Sequence, residues 1–292
     1  GGFYFYRKHI EQYINKHSGD IDIIEAPDWT GITAFMKLKK PLVIRFHGSD
    51  TYFCHIEGRP QKWKNAFLEK QAVKKATAFI APTQFAGIKS VELLNLKSSH
   101  LKTLSHGLNL EDFNNSSPEE FTSKRLLNIG TLIRKKGVFQ LVEIFNKIII
   151  AHPTAKLYFI GADSYDVQTG SAYLGKVPYG QVKEEIQKAH ICVFPSLAET
   201  LGMVTIESMA LQKVVVNTNI GWAQDLIEHG KDGFMHHPDA IDAYVSTICK
   251  VFKNDALRQQ VSKSARVTIE ERFDINRIAQ DNISLYKKVI SL

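Results

Sequence analysis

The sequence predicts an α/β protein in which two similar units each contain a parallel sheet. Short runs of β-branched and aromatic residues alternate with helical patterns along the chain, which is typical of parallel α/β architecture. A polar stretch closed by proline, residues 114–118, separates two such series and is the expected linker. The length of 292 residues fits two domains of roughly 100–200 residues each.

The predicted elements form one series on each side of this linker. Before it, strands are predicted at residues 21–24, 42–46, 78–81 and 100–104, and helices at 63–75 and 85–94. After it, strands are predicted at 126–129, 156–160, 191–194 and 214–217, and helices at 138–149, 180–189, 203–211, 255–269 and 275–290. We expect a first domain at residues 1–115, a second at 116–274, and a last helix, 275–292, that crosses back to the first domain.

Composition excludes several classes of protein. A hydrophobic fraction of 44% and a charged fraction of 23% are ordinary for a packed globular chain, not for a disordered, collagen-like or disulfide-stapled one. No apolar run approaches the ~20 residues that span a bilayer. Cys54, Cys192 and Cys249 lie far apart and form no CxxC pair, so neither a zinc site nor a disulfide framework is indicated. A reducing cytoplasm is the expected compartment.

The formal net charge of +7 falls mainly on the first part of the chain, where 16 Lys and Arg stand against 11 Asp and Glu up to Ser117. Positive charge attracts phosphorylated substrates or anionic lipid. No basic block of five or more residues occurs, so we expect no nucleic-acid partner. Lys37, Lys39, Lys40 and residues 62–64 stand beside apolar or aromatic groups, which fits either peripheral contact with an anionic membrane or a solvated face.

Unusual residues follow four of the predicted strands, at the edge where parallel sheets bind ligands. They are the His-Gly pairs at 47–48 and 106–107, the glycine-rich basic loop at 130–137, and residues 195–202, which run into a helix. A glycine at the start of a helix exposes backbone N–H groups, and the helix dipole makes that end an anion site. The last of these strand exits is therefore the most informative.

Glu199 and Glu207 lie just before and within this helix, eight residues apart. Carboxylates at that spacing do not touch, but both can accept hydrogen bonds from one elongated polar ligand. A lone helical glutamate is more often simply solvated, yet Ile206 and residues 209–211 give Glu207 apolar surroundings. Arg134, Lys135 and Lys136 in the basic loop could offset phosphate charge.

Five segments, in order along the chain, together resemble the donor domain of the family 4 retaining glycosyltransferases, which have the GT-B fold of two Rossmann-like domains facing a cleft. The resemblance covers residues 21–286, is strongest after Ser105, and includes the family's E-x7-E pattern at Glu199 and Glu207. The segments are SHGLNLEDF (105–113), NIGTLIRKKGV (128–138), LYFIG (157–161), FPSLAETLGMVTIESMA (194–210) and VVVNTNIGWAQDLIEHGKDGF (214–234).

The resemblance implies a metal-independent transferase that moves a hexosyl group from a nucleotide-diphosphate sugar to a sugar or lipid-linked hydroxyl acceptor, in bacterial-type surface polysaccharide or glycolipid synthesis, with no cofactor. Glu199 would bind donor-sugar hydroxyls, and His47 would face that sugar across the cleft; these two are the expected catalytic residues. Glu207 would bind the ribose, Lys136 and backbone N–H groups from Leu201 to Val204 the diphosphate, and residues 175–178 the base. The expected donor-binding residues are Gly130, Arg134, Lys136, Val177, Thr200, Leu201, Gly202, Met203, Val204 and Glu207.

The chain departs from the family pattern at three places. Thr131 stands where the family has an arginine, which leaves open whether Arg134 takes that role. His106 stands where the family has an asparagine, and its role is open. The family's opening strand and Gly-Gly loop find no match before residue 21, so we expect a first domain that is incomplete by about two strands.

Other interpretations remain open. A nucleotide-sugar-binding protein without catalysis, or with impaired catalysis, would carry the same donor residues. A metal-dependent GT-A enzyme needs an Asp-x-Asp, and residues 20–22 match its letters, but they lead into a strand and are read as its edge. A Rossmann dehydrogenase would need GxGxxG, which is absent. A GT-B phosphorylase would need a pyridoxal-phosphate lysine, which nothing in the sequence favours.

Overall fold

The computed structural model describes residues 2–114, 124–162 and 171–292. The chain divides into two compact units. The first comprises the chain up to His106 with Glu199–Leu201 and Arg277–Leu292, and the second comprises Gly107–Ala198 and Gly202–Asn276. Residues 115–118 of the expected linker lie outside the described residues.

The first unit contains a parallel sheet of four strands that follow one another in the order β1-β2-β3-β4. Its inner strands β2 and β3 are buried at every position, as expected for parallel strands covered on both faces. The strands are β1 (Ile24–Pro27), β2 (Leu42–Arg45), β3 (Ala78–Ala81) and β4 (Leu101–Thr103), and the helices are α1 (Gly2–Lys16), α2 (Asp50–Glu57), α3 (Trp63–Val73) and α4 (Gln84–Leu94).

The second unit contains a parallel sheet of six strands with helices between them. The strands are β5 (Arg125–Ile129), β6 (Lys156–Ile160), β7 (Ser171–Tyr173), β8 (Ile191–Phe194), β9 (Val214–Thr218) and β10 (Phe234–His236), in the order β10-β9-β8-β5-β6-β7. The helices are α5 (Val138–Ala151), α6 (Tyr179–Lys188), α7 (Met203–Ala210), α8 (Ile241–Lys253) and α9 (Asp255–Arg272). A last helix, α10 (Ile275–Ile290), follows, and its residues from Arg277 onward belong to the first unit.

Helix α5 confirms the apolar spacing seen in the sequence. Leu141, Ile144 and Ile148 are fully buried and belong to the core of the second unit. Tyr244 and Ile248 of α8 pack into the same core. Helices α5 and α8 therefore pack together over the sheet of the second unit.

A charged network attaches α10 to the sheet of the first unit. Arg45 at the end of β2 donates to both carboxylate oxygens of Glu25 on β1, at 2.8 and 3.0 Å, and also to Asn282 of α10. The hydroxyl of Tyr286 donates to the same Glu25 carboxylate. Below these polar groups, Val289 packs against the apolar side chains of the sheet.

The first strand lies three residues later than the sequence predicts. Residues 21–24 were expected to form it, whereas β1 runs over Ile24–Pro27 and pairs with β2 from Leu42 to Arg45. Ile21 and Ile23 are apolar because they pack beside the sheet, not because they pair within it. Asp20 and Asp22 therefore lie before the strand, outside the sheet ladder.

Five elements were not predicted. Helix α1 opens with exposed aromatic residues and lacks an apolar stripe, because the side chains that it buries include Arg7 and Glu11. Strands β7 and β10 have three residues each, which is too short for a recognisable pattern. Helix α8 does carry apolar residues at helical spacing, and α2 begins at a Ser49 cap.

Candidate functional site

The strand order of the second unit reverses between β5 and β8, which are neighbours in the sheet. The chain leaves β5 toward β6 on one side and leaves β8 toward β9 on the other. In open parallel sheets, ligands bind outside the carboxyl ends of the strands at such a switch point. The two loops that start there are residues 130–137 and 195–202, which are two of the four strand exits that the sequence singled out.

These two loops touch through their backbones. The N–H of Leu197 donates to the carbonyl of Lys135 at 2.8 Å. Gly137 has a positive φ of 69°, and a Cβ at that position would lie 1.9 Å from the carbonyl oxygen of Pro195. Only glycine fits both the left-handed backbone and this approach. The basic loop is therefore fixed against the loop that leads into α7.

Lys136 lies along the end of β5. Its side-chain carbons are 3.6–3.8 Å from the point that a Cβ on Gly130 would occupy, so the absence of a side chain at Gly130 leaves room for the lysine stem. Lys136 is half-buried, whereas Arg134, in the same short 3-10 turn, is exposed. The turn, whose three residues are all basic, therefore presents cations in different environments at the switch point.

Helix α7 begins at Met203, directly after Gly202, which has no side chain to cap it. The N–H groups of the first turn of a helix have no acceptor within the helix. Met203 and Val204 are both half-buried in this turn. Their N–H groups and the helix dipole form an end suited to an anion.

Glu207, about one turn into α7, is 7% exposed and is not the solvated helix residue that a lone glutamate usually is. The hydroxyl of Tyr179, the first residue of α6, donates to Glu207 Oε1 at 2.7 Å. Burial raises the pKa of Glu207, while the hydrogen bond from Tyr179 and the charge of Lys183 act in the opposite direction. Within the described residues, Tyr179 is the group that hydrogen-bonds to this carboxylate.

Tyr179 is itself held by its neighbours. The ammonium of Lys183 lies 4.5 Å from the ring centroid of Phe113 and 5.5 Å from that of Tyr179, and it donates to the carbonyl of Asp112 at 3.0 Å. The Phe113 and Tyr179 rings meet edge to face, with centroids 6.4 Å apart. Val177, half-buried, lies in the loop from β7 to α6, two residues before Tyr179.

In the first unit, the tripeptide Glu199–Leu201 is held by its backbone. The hydroxyl of Tyr52, which is fully buried, donates to the carbonyl of Glu199 at 2.8 Å. The hydroxyl of Thr83 donates to the carbonyl of Thr200 at the same distance. Leu201 is buried. The position of Glu199 is thus set by buried residues that hold its main chain.

His47 lies at the carboxyl end of β2 in the same unit. Its N–H donates to Asp28 Oδ1 at 2.9 Å, and its carbonyl accepts from the hydroxyl of Thr200 at 3.3 Å. Its ring stacks on that of His106, with centroids 5.3 Å apart and planes 10° apart. Burial lowers the pKa of both imidazoles, that of His106 to about 4. The pair is therefore neutral at neutral pH.

Asp28 was not predicted as a site residue. It is 1% exposed, and burial raises its pKa to about 6. Its Oδ1 receives the N–H of His47, whereas its Oδ2 has no hydrogen-bond partner among the described residues. A buried carboxylate oxygen that accepts no hydrogen bond is unusual. Asp28 therefore adds a polar group to the carboxyl ends of β1 and β2.

The predicted residues are thus distributed over two local clusters. The first unit brings His47 together with Thr200 and, through Tyr52, the backbone of Glu199. The second unit holds the other predicted donor residues, namely Gly130, Arg134, Lys136, Val177, Gly202, Met203, Val204 and Glu207. Sequence reasoning missed Asp28, Tyr52, Thr83 and Tyr179. Thr83 alone carried a local signal, as the threonine cap of α4.

Two further features concern the described ranges, 2–114, 124–162 and 171–292. Within them, no group of three or more His, Cys, Asp or Glu could hold a metal ion. Within the same ranges, every helix is too short or too polar to cross a membrane.

Comparison with known proteins gives consistent matches. The family model described as glycosyl transferases group 1 matches residues 111–268, and that described as glycosyltransferase family 4 matches residues 2–112. TuaC of Bacillus subtilis, named as a teichuronic acid biosynthesis glycosyltransferase, is 28% identical over 255 residues, which are 82% of this chain and 62% of TuaC. CapM of Staphylococcus aureus, a capsular polysaccharide biosynthesis glycosyltransferase, is 27% identical over 244 residues, 75% of this chain and 63% of CapM.

The chain therefore spans a little over three fifths of the length of these relatives. Among solved structures, Anabaena Alr3699/HepE in complex with UDP superposes with a TM-score of 0.80 at 16% identity, covering 95% of this chain and 82% of that one. The structural neighbours are GT-B glycosyltransferases. By its family matches and its fold, the chain belongs to the group 1 glycosyl transferases and has the GT-B architecture that its motifs predict.

Proposed function

We propose that this chain transfers a hexosyl group from a nucleotide-diphosphate sugar to a hydroxyl of a saccharide or lipid-linked acceptor, with retention of anomeric configuration, in surface polysaccharide or glycolipid synthesis. One observation carries the proposal. Glu207 is a buried carboxylate in the helix that follows the switch point, and Tyr179 holds one of its oxygens. A carboxylate fixed in this way is suited to accept hydrogen bonds from a polyhydroxylated ligand.

In this proposal the second unit binds the nucleotide. Glu207 accepts hydrogen bonds from the ribose hydroxyls, and the segment around Val177 lies along the base. Lys136 and the N–H groups of Met203 and Val204 bind the diphosphate, with Arg134 in the role of the loop arginine that Thr131 replaces. The close approach of residues 130–137 and 195–202 supports this assignment, because it ties the cationic loop to the segment that leads into α7.

In the same proposal, the reacting sugar is assigned to Glu199 and His47. Glu199 binds its hydroxyls, and His47, held neutral, offers a hydrogen bond without adding charge. The acceptor hydroxyl attacks from the face that the diphosphate leaves, and a leaving phosphate oxygen takes its proton. This front-face route retains the anomeric configuration without an enzyme nucleophile. Fixed donors on the diphosphate supply the electrostatic stabilisation, and the chain's own cations take the place of a metal.

The comparisons support the class of reaction. HepE was solved with UDP, and the names of TuaC and CapM associate them with the synthesis of bacterial polysaccharides. The first experiment is a thermal-shift screen of nucleotides and nucleotide sugars, since a ligand that binds the folded state raises its apparent stability. An assay for nucleotide release, with and without EDTA, follows for each sugar that binds. Release of nucleotide that depends on the chain would support the enzyme. Binding of the nucleotide sugar without release, in the presence of candidate acceptors, would favour the non-catalytic binding protein.

Replacement of Glu207 tests the ribose assignment. Glu207→Ala is expected to weaken nucleotide binding about 10- to 100-fold, because it removes charge-assisted hydrogen bonds. Isothermal titration with the best nucleotide of the screen measures the change. Glu184→Ala, which removes an exposed glutamate from α6, serves as the matched control and should bind as the unmodified chain does. Unchanged affinity in Glu207→Ala would remove the ribose assignment.

The Tyr179 hydrogen bond predicts a pH effect. Burial raises the pKa of Glu207, so nucleotide affinity should fall as the pH drops through that pKa and the carboxylate becomes protonated. Tyr179→Phe removes the donor that favours the ionised form, so the fall should begin at a higher pH. Affinity measured from pH 4 to 8 gives the two midpoints, and Glu207→Gln should lose the transition. Coincident midpoints for the unmodified chain and the Tyr179→Phe variant would contradict the role of the hydroxyl.

Replacement of Glu199 separates binding from catalysis. Glu199→Ala leaves the backbone carbonyl that Tyr52 holds, so the chain should fold normally. We expect turnover to fall at least about 100-fold, as when one preorganised transition-state contact is lost, with nucleotide affinity nearly unchanged. Steady-state kinetics and titration of the same preparation give both quantities. An equal loss of nucleotide affinity would show that Glu199 does not act on the sugar.

If the acceptor is lipid-linked, we propose that the chain contacts the cytoplasmic face of an anionic membrane peripherally. Trp63 is 72% exposed, and Lys37, Lys39, Lys62 and Lys64 are exposed in the same unit. We expect the chain to sediment with phosphatidylglycerol vesicles at low salt and to be released at high salt, because exposed charges are screened. Phosphatidylcholine vesicles are the control. Failure to sediment with anionic vesicles at low salt would identify these lysines as a solvated face.

A further inference from the structure

The first unit contains a cavity of about 300 Å³, at the lower end of the range for small-molecule sites. We call it the Trp29 cavity. Its walls come from α1, from the loop after β1, and from α2 and α3. The lining residues are Phe3, Arg7, Trp29, Thr30, Asp50, Asn65, Leu68 and Glu69. It therefore combines two aromatic rings with a cation and several hydrogen-bonding groups.

Arg7 is the unusual member of this lining. It is 8% exposed, and its guanidinium donates to the carbonyls of Gly31 at 3.1 Å and Thr30 at 2.9 Å. A guanidinium carries five N–H donors, so these bonds leave others for a ligand. Among the described residues, no carboxylate lies within ion-pair distance of it, and burial lowers its pKa. A buried cation is normally paired with an anion.

The two carboxylates in the lining already have their own partners. Glu69 accepts the N–H groups of Asp50 and Thr51, at 2.8 and 3.0 Å, and the hydroxyl of Thr51. Asp50 pairs with Arg59 at 3.1 Å and accepts from the amide of Asn65 at 2.9 Å. The negative charges are thus matched by the start of α2 and by Arg59. Arg7 is therefore the charged group of the lining for which an anionic ligand would be the counter-ion.

Trp29 stands exposed on a loop that the fold holds in strained geometry. Thr30 and Gly31 have φ of 58° and 60°, and a Cβ on Gly31 would lie 2.6 Å from the backbone of Leu68. A positive φ at threonine is unfavourable and persists only where the surroundings impose it. The two hydrogen bonds from Arg7 hold the carbonyls of these same residues. Trp29 is 63% exposed and Phe3 79% exposed, so both rings offer open apolar surface.

We propose that the Trp29 cavity binds an anionic saccharide, with the sugar ring against the Trp29 indole and its carboxylate or phosphate on Arg7. The flat apolar face of an indole suits the C–H face of a pyranose ring, and a guanidinium recognises both carboxylate and phosphate in bidentate geometry. This inference rests on the proposed function, since it names the class of the acceptor. The second unit binds the nucleotide of the donor, and the cavity selects a charged acceptor.

The test compares glucopyranose derivatives with and without a negative charge. Methyl glucuronide, glucose 6-phosphate and methyl glucoside are titrated into the full chain, and the indole N–H signal of Trp29 is followed by NMR. We expect the anionic sugars to shift this signal and to bind at least about tenfold more tightly than the neutral one, with an affinity that falls as salt is added. The carboxylate and phosphate arms show which anion is preferred. Equal affinity for charged and neutral sugars, or no binding of any, would overturn the proposal.

Two variants locate the binding groups, each with a matched control. Arg7→Gln should remove the preference for the anionic sugars, whereas Lys8→Gln, the neighbouring cation that pairs with Glu11, should keep it. Trp29→Ala should weaken all three sugars to a similar degree, whereas Tyr13→Ala, an exposed aromatic residue outside the cavity lining, should not. If the Arg7→Gln variant fails to fold, the comparison of charged and neutral sugars on the unmodified chain still tests the proposal.

Nucleotide titration of the same variants keeps this proposal separate from the proposed function. Arg7→Gln and Trp29→Ala should bind nucleotide as the unmodified chain does, since neither residue belongs to the second unit. Loss of sugar discrimination with normal nucleotide binding supports the cavity. Absence of nucleotide binding in the unmodified chain would instead contradict the donor site, whatever the sugars show.

Discussion

In the second unit, the loop of residues 130–137 passes residues 195–198 at backbone contact distance, and the position of its basic residues depends on this approach. Gly137 makes it possible, because any side chain would collide with the carbonyl of Pro195. The hydrogen bond between Leu197 and Lys135 then fixes the register of the two loops. The two loops follow neighbouring strands and then run in opposite directions. The sheet therefore sets the distance between the basic residues of one loop and the helix N–H groups that follow the other, although the two segments are far apart in the sequence. The backbone of the loop thereby sets the place of Lys136.

Three buried carboxylates of the chain differ in how fully they are hydrogen-bonded. Glu69 is fully buried and has three donors, so its charge is satisfied locally. Glu207 is satisfied at one oxygen by Tyr179, and among the described residues Asp28 receives a donor at one oxygen and none at the other. Burial without full hydrogen bonding disfavours the ionised form and costs stability. The two half-satisfied carboxylates both lie near the carboxyl ends of parallel strands, which is where polar ligands bind.

The sequence patterns predicted most strands of the two sheets and the candidate site residues of the second unit. Particular residues show the physical reasons. Strands Lys156–Ile160 and Ile191–Phe194 have the predicted bounds, because buried parallel strands are continuous apolar runs. Glu207 was identified from its apolar neighbours. Tyr179 was not, since nothing in the sequence around it shows that its hydroxyl reaches a residue 28 positions later.

Asp28 was missed for a different reason. The first strand was placed three residues too early, so its end, and hence the residue that follows it, were wrongly located. Arg7 and α1 were missed because the helix is anchored by a buried arginine, whereas amphipathic patterns are read from apolar residues. Tertiary contacts between polar side chains follow no sequence period. Most of the residues that the sequence patterns failed to predict are defined by such contacts.

The attachment of α10 to the first sheet has a consequence for how the chain is made. Arg45 and Asn282, which meet in the folded unit, are 237 positions apart in the sequence. Val43, Ile80 and Leu104 share a core with Val289 of α10. The part of the first sheet that α10 covers therefore stays uncovered during synthesis until residues 277–292 have been added. Contacts of such high sequence separation form slowly. Throughout that interval, the nascent chain carries an exposed apolar surface that a chaperone must shield or that neighbouring chains can join.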